Sequence, residues 1–101
     1  MTPDPLGQIR KRFTERCHGD LERLRELRSS GAYREHTEAL SALTMIAHSL
    51  AGAGGTFGFH DISSRAFELE SLLLEGKVDD RATAALDELI RVLETVSGSS
   101  G

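Results

Sequence analysis

The sequence predicts an all-α protein built as an antiparallel up-down four-helix bundle. Three observations carry that reading. Apolar residues recur at steps of three and four along nearly the whole chain. Both prolines, Pro3 and Pro5, lie at the N-terminus, so the interior holds no helix breaker. Glycine-marked breaks at Ser29-Ser30-Gly31, at Gly58 to Asp61 and at Gly76 divide the chain into four amphipathic stretches. Aromatic residues make up 5% and tryptophan is absent, so aliphatic side chains must fill the core. With 101 residues the chain is read as one domain, large enough to bury roughly 65% of its unfolded surface. The bundle is expected over residues 1–97, with 98–101 as a disordered Gly/Ser tail.

The first helix opens at Pro3-Asp4-Pro5, with Asp4 as N-cap and Pro5 at the first helical position. Leu6, Ile9, Phe13, Cys17, Leu21, Leu24 and Leu27 give it a single apolar face, and Gly31 ends it. The second helix is expected from about Ala32 to Arg34 through Thr56 to Gly58, with Leu40, Leu43, Ile46, Ala47 and Leu50 inward. His36 falls near that stripe and is read as structural; His18 is read as a boundary residue of the first helix. A turn around Gly58 follows, with Asp61 as the expected N-cap of the third helix. That helix carries Ile62, Ala66, Leu69 and Leu73 and stops at Gly76. Asp79-Asp80 open the fourth, whose face is Ala82, Leu86, Leu89, Ile90, Leu93 and Val96.

Net charge is −4, unevenly spread. Residues 1–34 carry eight Arg or Lys against five Asp or Glu, and residues 35–101 carry four against eleven. Neither part has a basic block interleaved with aromatics, so nucleic-acid binding is not expected. Cys17 is the only cysteine, which excludes an intramolecular disulfide and a cysteine metal site; on its apolar stripe it reads as a buried hydrophobe. No spanning segment or signal peptide is visible, and a cytoplasmic monomer is the expectation.

The stretch with chemical content is Ile46 to Phe59, I-A-H-S-L-A-G-A-G-G-T-F-G-F. On a continuous helix His48 falls roughly 150° from the middle of the apolar stripe, facing solvent. Gly52, four residues on, leaves nothing bulky over the imidazole. Three glycines in a helix forgo roughly 3 kcal/mol relative to alanine. Either close helix packing or access to His48 must compensate. A phosphate-binding loop does not fit: no G-K-[ST] follows, and Phe57 stands where G-x-G-x-x-G needs its third glycine. Metal binding has no H-x-x-x-H pair to support it. No strained nucleophile elbow points to a Ser–His–Asp triad.

The run H-S-L-A-G-A-G-G-T-F-G-F resembles the signature of histidine-containing phosphotransfer (HPt) domains. It is also similar to the phosphotransfer domain of chemotaxis histidine kinases, whose motif ends in the same G-T-F-G-F. Matching positions are His48, Leu50, Gly52, Ala53, Phe57 and Gly58, then Ala66, Leu69 and Glu70. The departure is Ala51, where the family usually has lysine; Arg65 on the next helix is the candidate substitute. The resemblance implies a phosphorelay carrier that is not an enzyme, accepting a phosphoryl group on His48 and exchanging it with an aspartate of a receiver domain or hybrid histidine kinase. It further implies that Glu70 orients the imidazole, leaving Nε2 free. The expected docking face comprises Gly52, Gly55, Ala51 and Phe59. No cofactor is expected on this chain, and Mg²⁺ is expected on the partner. The alternative from another class is a non-catalytic helical module that dimerises through its Gly/Ala face.

Overall fold

The computed structural model describes residues 5–98, with side chains over 7–96. Four α-helices run α1 Pro5–Ser30, α2 Thr37–Thr56, α3 His60–Leu74 and α4 Asp80–Gly98, with a 3-10 turn at Ala32–Arg34. Each helix packs against two neighbours in the cyclic order α1, α2, α3, α4. Cross-helix pairs run in opposite senses, as Arg25 with Glu94 and Arg28 with Asp87 show for α1 and α4. This is the up-down bundle that the periodicity predicts.

The core is the union of the four apolar stripes. Cys17, Leu24, Leu43, Ala47, Leu50, Ala66, Leu69, Leu86, Leu89 and Leu93 are completely buried. No buried residue is polar or charged among the described residues. Burial pushes the Cys17 thiol up to about 11; the nearby Asp20 carboxylate adds to the shift and Arg16 opposes it. At the α2–α3 end the core is aromatic: the Phe13 ring lies 5.5 Å from Phe57 and 5.1 Å from Phe59.

Helix ends fall where glycine can take a left-handed backbone. Gly58 (φ 83°) and Gly76 (φ 78°) follow α2 and α3. Behind them the Phe59 N–H donates to Gly54 O (2.7 Å) and the Lys77 N–H to Leu72 O (2.9 Å), saturating carbonyls that the helix leaves open. At the start of α4, Asp79 Oδ1 accepts the Arg81 backbone N–H at 3.0 Å, and that bond leads the causes that hold its carboxyl low.

Several expectations shift. α2 begins at Thr37, after a 3-10 turn that buries Tyr33. The Tyr33 hydroxyl lies 2.6 Å from Thr83 Oγ1 and ties the α1–α2 connection to α4. His36 is the extended N-cap position and is exposed; it does not pack on the stripe. Phe59, not Asp61, precedes α3, and Asp61 sits in its first turn. Ile9 is 39% exposed, because the first turns of α1 run past the packed core. α4 continues through Ser97 and Gly98. Residues 1–4, with the expected N-cap Asp4, and residues 99–101 of the expected tail lie outside the described residues.

The charge asymmetry now has a place. α1 presents Arg25 and Arg28 to Glu94 (2.6 Å) and Asp87 (2.7 Å) of α4, and Arg34 reaches Asp80 (3.3 Å). Asp80 is fully exposed and the other five side chains are half-exposed, so solvent screens all three pairs. Together they match the basic first helix to the acidic last one.

Candidate functional site

α2 and α3 cross closely because Gly54 has no side chain. A Cβ there would stand 3.0 Å from Ser63 N and 3.2 Å from Phe59 O, both backbone atoms. The contact is locked by Ser63, whose Oγ donates to the Ala51 carbonyl at 2.6 Å. This crossing brings a residue of α3 onto the His48 ring. Glu70 Oε2 lies 2.6 Å from His48 Nδ1.

The two partners differ in exposure. The His48 side chain is 77% exposed and that of Glu70 13%. A carboxylate can only accept, so the bond places the imidazole proton on Nδ1 and leaves the Nε2 lone pair facing solvent. The ring is therefore a fixed, accessible nitrogen nucleophile.

His48 opens onto a shallow groove of about 640 Å³ between α2 and α3. Ala51 and Gly52 line it from α2; His60, Ser63, Ser64, Phe67 and Glu70 line it from α3. The Gly52 Cβ position meets nothing within 4 Å, so the space over the ring is open. A second hollow, lined by Gly58–Ile62 and by Val92, Thr95 and Val96 of α4, shares His60 with this groove but is not lined by His48.

His48, Glu70, Gly52 and Ala51 thus come together in one groove. Gly55 is exposed nearby, but its Cβ position is only 3.3 Å from Ser63 Oγ, so it also serves the helix contact. Phe59 does not belong to this face. It is half-buried against Phe13, with the Arg10 guanidinium 5.2 Å above its ring. The exposed aromatic of the groove is Phe67, 63% exposed, and α2 and α3 also expose Met45 (71%) and Leu74 (70%). Arg65 turns the other way: it pairs with Glu68 (3.5 Å) and lines a hollow with Arg81, Ala84 and Glu88 of α4. It does not stand in for a lysine at Ala51.

The roles of Gly54 and Ser63 are absent from the sequence reading. A glycine cluster signals close packing or open access, but which glycine serves which purpose depends on what lies opposite. His18 is exposed on α1 and lines no groove with His48. No group of three His, Cys, Asp or Glu able to hold a metal ion occurs among the described residues, and no helix of these residues is long and apolar enough to cross a membrane.

No curated protein and no solved structure gives a significant match to the chain. A family model does match, the Hpt domain, over residues 8–99. That span takes in α1 from residue 8 onward, the whole of α2, α3 and α4, and the His48 groove, and the chain belongs to the Hpt domain family, whose members carry out histidine phosphotransfer in phosphorelay signalling and interact with receiver domains and histidine kinases.

Proposed function

We propose that His48 is the phosphoacceptor of this domain and that it exchanges a phosphoryl group with an aspartate of a receiver domain. The observation that carries this is the His48–Glu70 pair: Nδ1 is held at 2.6 Å by a largely buried carboxylate, while the ring itself is exposed beside an open Gly52.

In the accepting direction the Nε2 lone pair attacks the phosphorus of an aspartyl phosphate. The N–P bond forms as the O–P bond breaks, and the partner's carboxylate leaves. Positive charge develops on the imidazole, whose proton stays on Nδ1 against Glu70. The reverse step returns the group to an aspartate. Phosphoryl transfer passes through a loose transition state that depends on in-line approach and charge neutralisation. Mg²⁺ and the aspartate belong to the partner in this reading, and the chain is a carrier that does not catalyse the reaction alone. Phe67 in the groove, with Met45 and Leu74 exposed elsewhere on α2 and α3, supplies apolar contact for that partner. The carrier acts as a cytoplasmic monomer.

The test is incubation with phosphorylated receiver domains, following label onto the protein and back. Label on the wild type that is acid-labile and alkali-stable, and lost in His48→Gln with the helical signal unchanged, is the expected result. Undiminished labelling of His48→Gln moves the site elsewhere.

A further inference from the structure

We propose that Arg16 of α1 supplies the positive charge that neutralises a phosphoryl group on His48. The inference rests on the reading of His48 as phosphoacceptor and adds a positioning residue from a different helix.

The groove around His48 contains no permanent cation. Its charged side chain is Glu70, already bonded to Nδ1, and its other ionisable lining residue is the imidazole of His60. A phosphoryl dianion on Nε2 would face no countercharge from α2 either, whose only charged residue is Glu38 in the first turn. Along the other flank of α2 runs α1. Arg16 Nη2 donates to the hydroxyl of Ser49, the residue that follows His48. That contact holds a guanidinium on α2 at the level of the phosphoacceptor.

The hold is made from behind. Arg16 Nε lies 3.4 Å from Asp20 Oδ2 on the same helix, and Asp20 is only 18% exposed. Burial raises the Asp20 carboxyl while Arg16 and Arg23 lower it. Arg16 itself is 44% exposed, and a guanidinium has five N–H donors in a planar fork, so most stay available to phosphoryl oxygens. Elsewhere on α1, Arg25 and Arg28 are matched to carboxylates of α4. Among the described residues Arg16 has no such acid across the α1–α2 seam; its carboxylate partner, Asp20, is on its own helix.

Glu70 fixes which side of the ring reacts. With Nδ1 bound on the α3 side, Nε2 points away from that carboxylate, and a group attached there extends over the outer surface of α2. A dianionic phosphoryl group concentrates more charge on its oxygens than the loose transition state for its loss, so a nearby cation favours the phosphorylated form. Arg16 therefore lengthens the life of phosphohistidine and lowers the second pKa of the phosphoryl group.

The experiment phosphorylates the purified protein with phosphoramidate, a small-molecule donor that needs no partner. Phosphorus NMR then follows the titration and the hydrolysis of the phosphohistidine at low and high ionic strength, with His48→Gln to assign the signal. In Arg16→Gln the phosphoryl group is expected to titrate at higher pH and to hydrolyse about two- to fivefold faster, the range of an exposed ion pair. Arg16→Lys should recover most of the difference, and high salt should erase it. A role confined to tying α1 to α2 would lower the melting temperature of Arg16→Gln and leave titration and lifetime where they are; that result overturns the proposal. Absence of any His48 label on the wild type would instead overturn the phosphoacceptor reading itself.

Discussion

Glu70 Oε2 sits 2.6 Å from His48 Nδ1, and the two residues lie on different helices, 22 positions apart. The bond fixes both the tautomer and the ring plane of an otherwise exposed histidine. Removing the acceptor frees the ring to rotate and to carry its proton on Nε2, where it blocks attack. A hydrogen bond of this kind contributes about 0.5–1.5 kcal/mol net, so Glu70→Ala should slow phosphoryl acceptance by roughly two- to tenfold. Glu70→Gln, whose amide oxygen can still accept, should lose less. Stopped-flow transfer from a phosphorylated receiver measures both, and equal rates for all three proteins would deny Glu70 any part in orienting the ring.

Two neighbouring glycines should respond in opposite ways to the same change. At Gly54 an added Cβ meets backbone atoms at 3.0 and 3.2 Å, which cannot move without separating α2 from α3. Gly54→Ala should destabilise by about 1–3 kcal/mol, as overpacking does. At Gly52 the added carbon meets nothing, and Gly52→Ala should stabilise by up to ~1 kcal/mol through helix propensity. Urea denaturation of the two variants decides it. Gly52→Gln should keep that fold yet impede transfer strongly, since its side chain would cover the ring one turn away.

Ala51 lines the groove and is half-buried, with its carbonyl accepting from Ser63. A lysine there stands one helical turn from His48. An ammonium about 4 Å from a phosphate oxygen gains ~1–4 kcal/mol before its ordering cost. Ala51→Lys should therefore extend the lifetime of phospho-His48, with the gain shrinking at high salt. Lifetimes at low ionic strength that match the wild type would make the missing lysine neutral.

Asp20 makes stability depend on pH. Burial raises its carboxyl above the unfolded value, with Arg16 and Arg23 opposing. The folded state therefore binds this proton more tightly than the unfolded state. The contribution is fully present below the unfolded carboxyl pKa of ~3.9 and declines as pH rises through the folded value. Asp20→Asn abolishes the titration, so it should raise the melting temperature at neutral pH and have little effect in acid. Thermal scans across pH that show the reverse trend would mean that the Arg16 pairing outweighs the cost of burial.

The sequence by itself determined the four helices, their inward stripes and the exposure of His48. Those properties are local. Helical periodicity assigns each residue to a face from its near neighbours alone, and Gly31, Gly58 and Gly76, all at positive φ, mark ends where other residues would be strained. The run around His48 was legible for the same reason, since its residues share one helix and one turn.

Tertiary structure decided what faces what. The meeting of Glu70 with His48, the tight crossing at Gly54, the turn of Arg65 toward α4 and the reach of Arg16 to Ser49 all depend on the register and rotation between helices. Phe59 and Phe67 illustrate the difference. They stand eight residues apart in the chain, yet one packs on Phe13 while the other stands in the groove. Register is set by the closest backbone approach and by bonds between residues far apart in the chain, such as Ser63 to Ala51. No single helix carries that information; it exists only once the four are packed together.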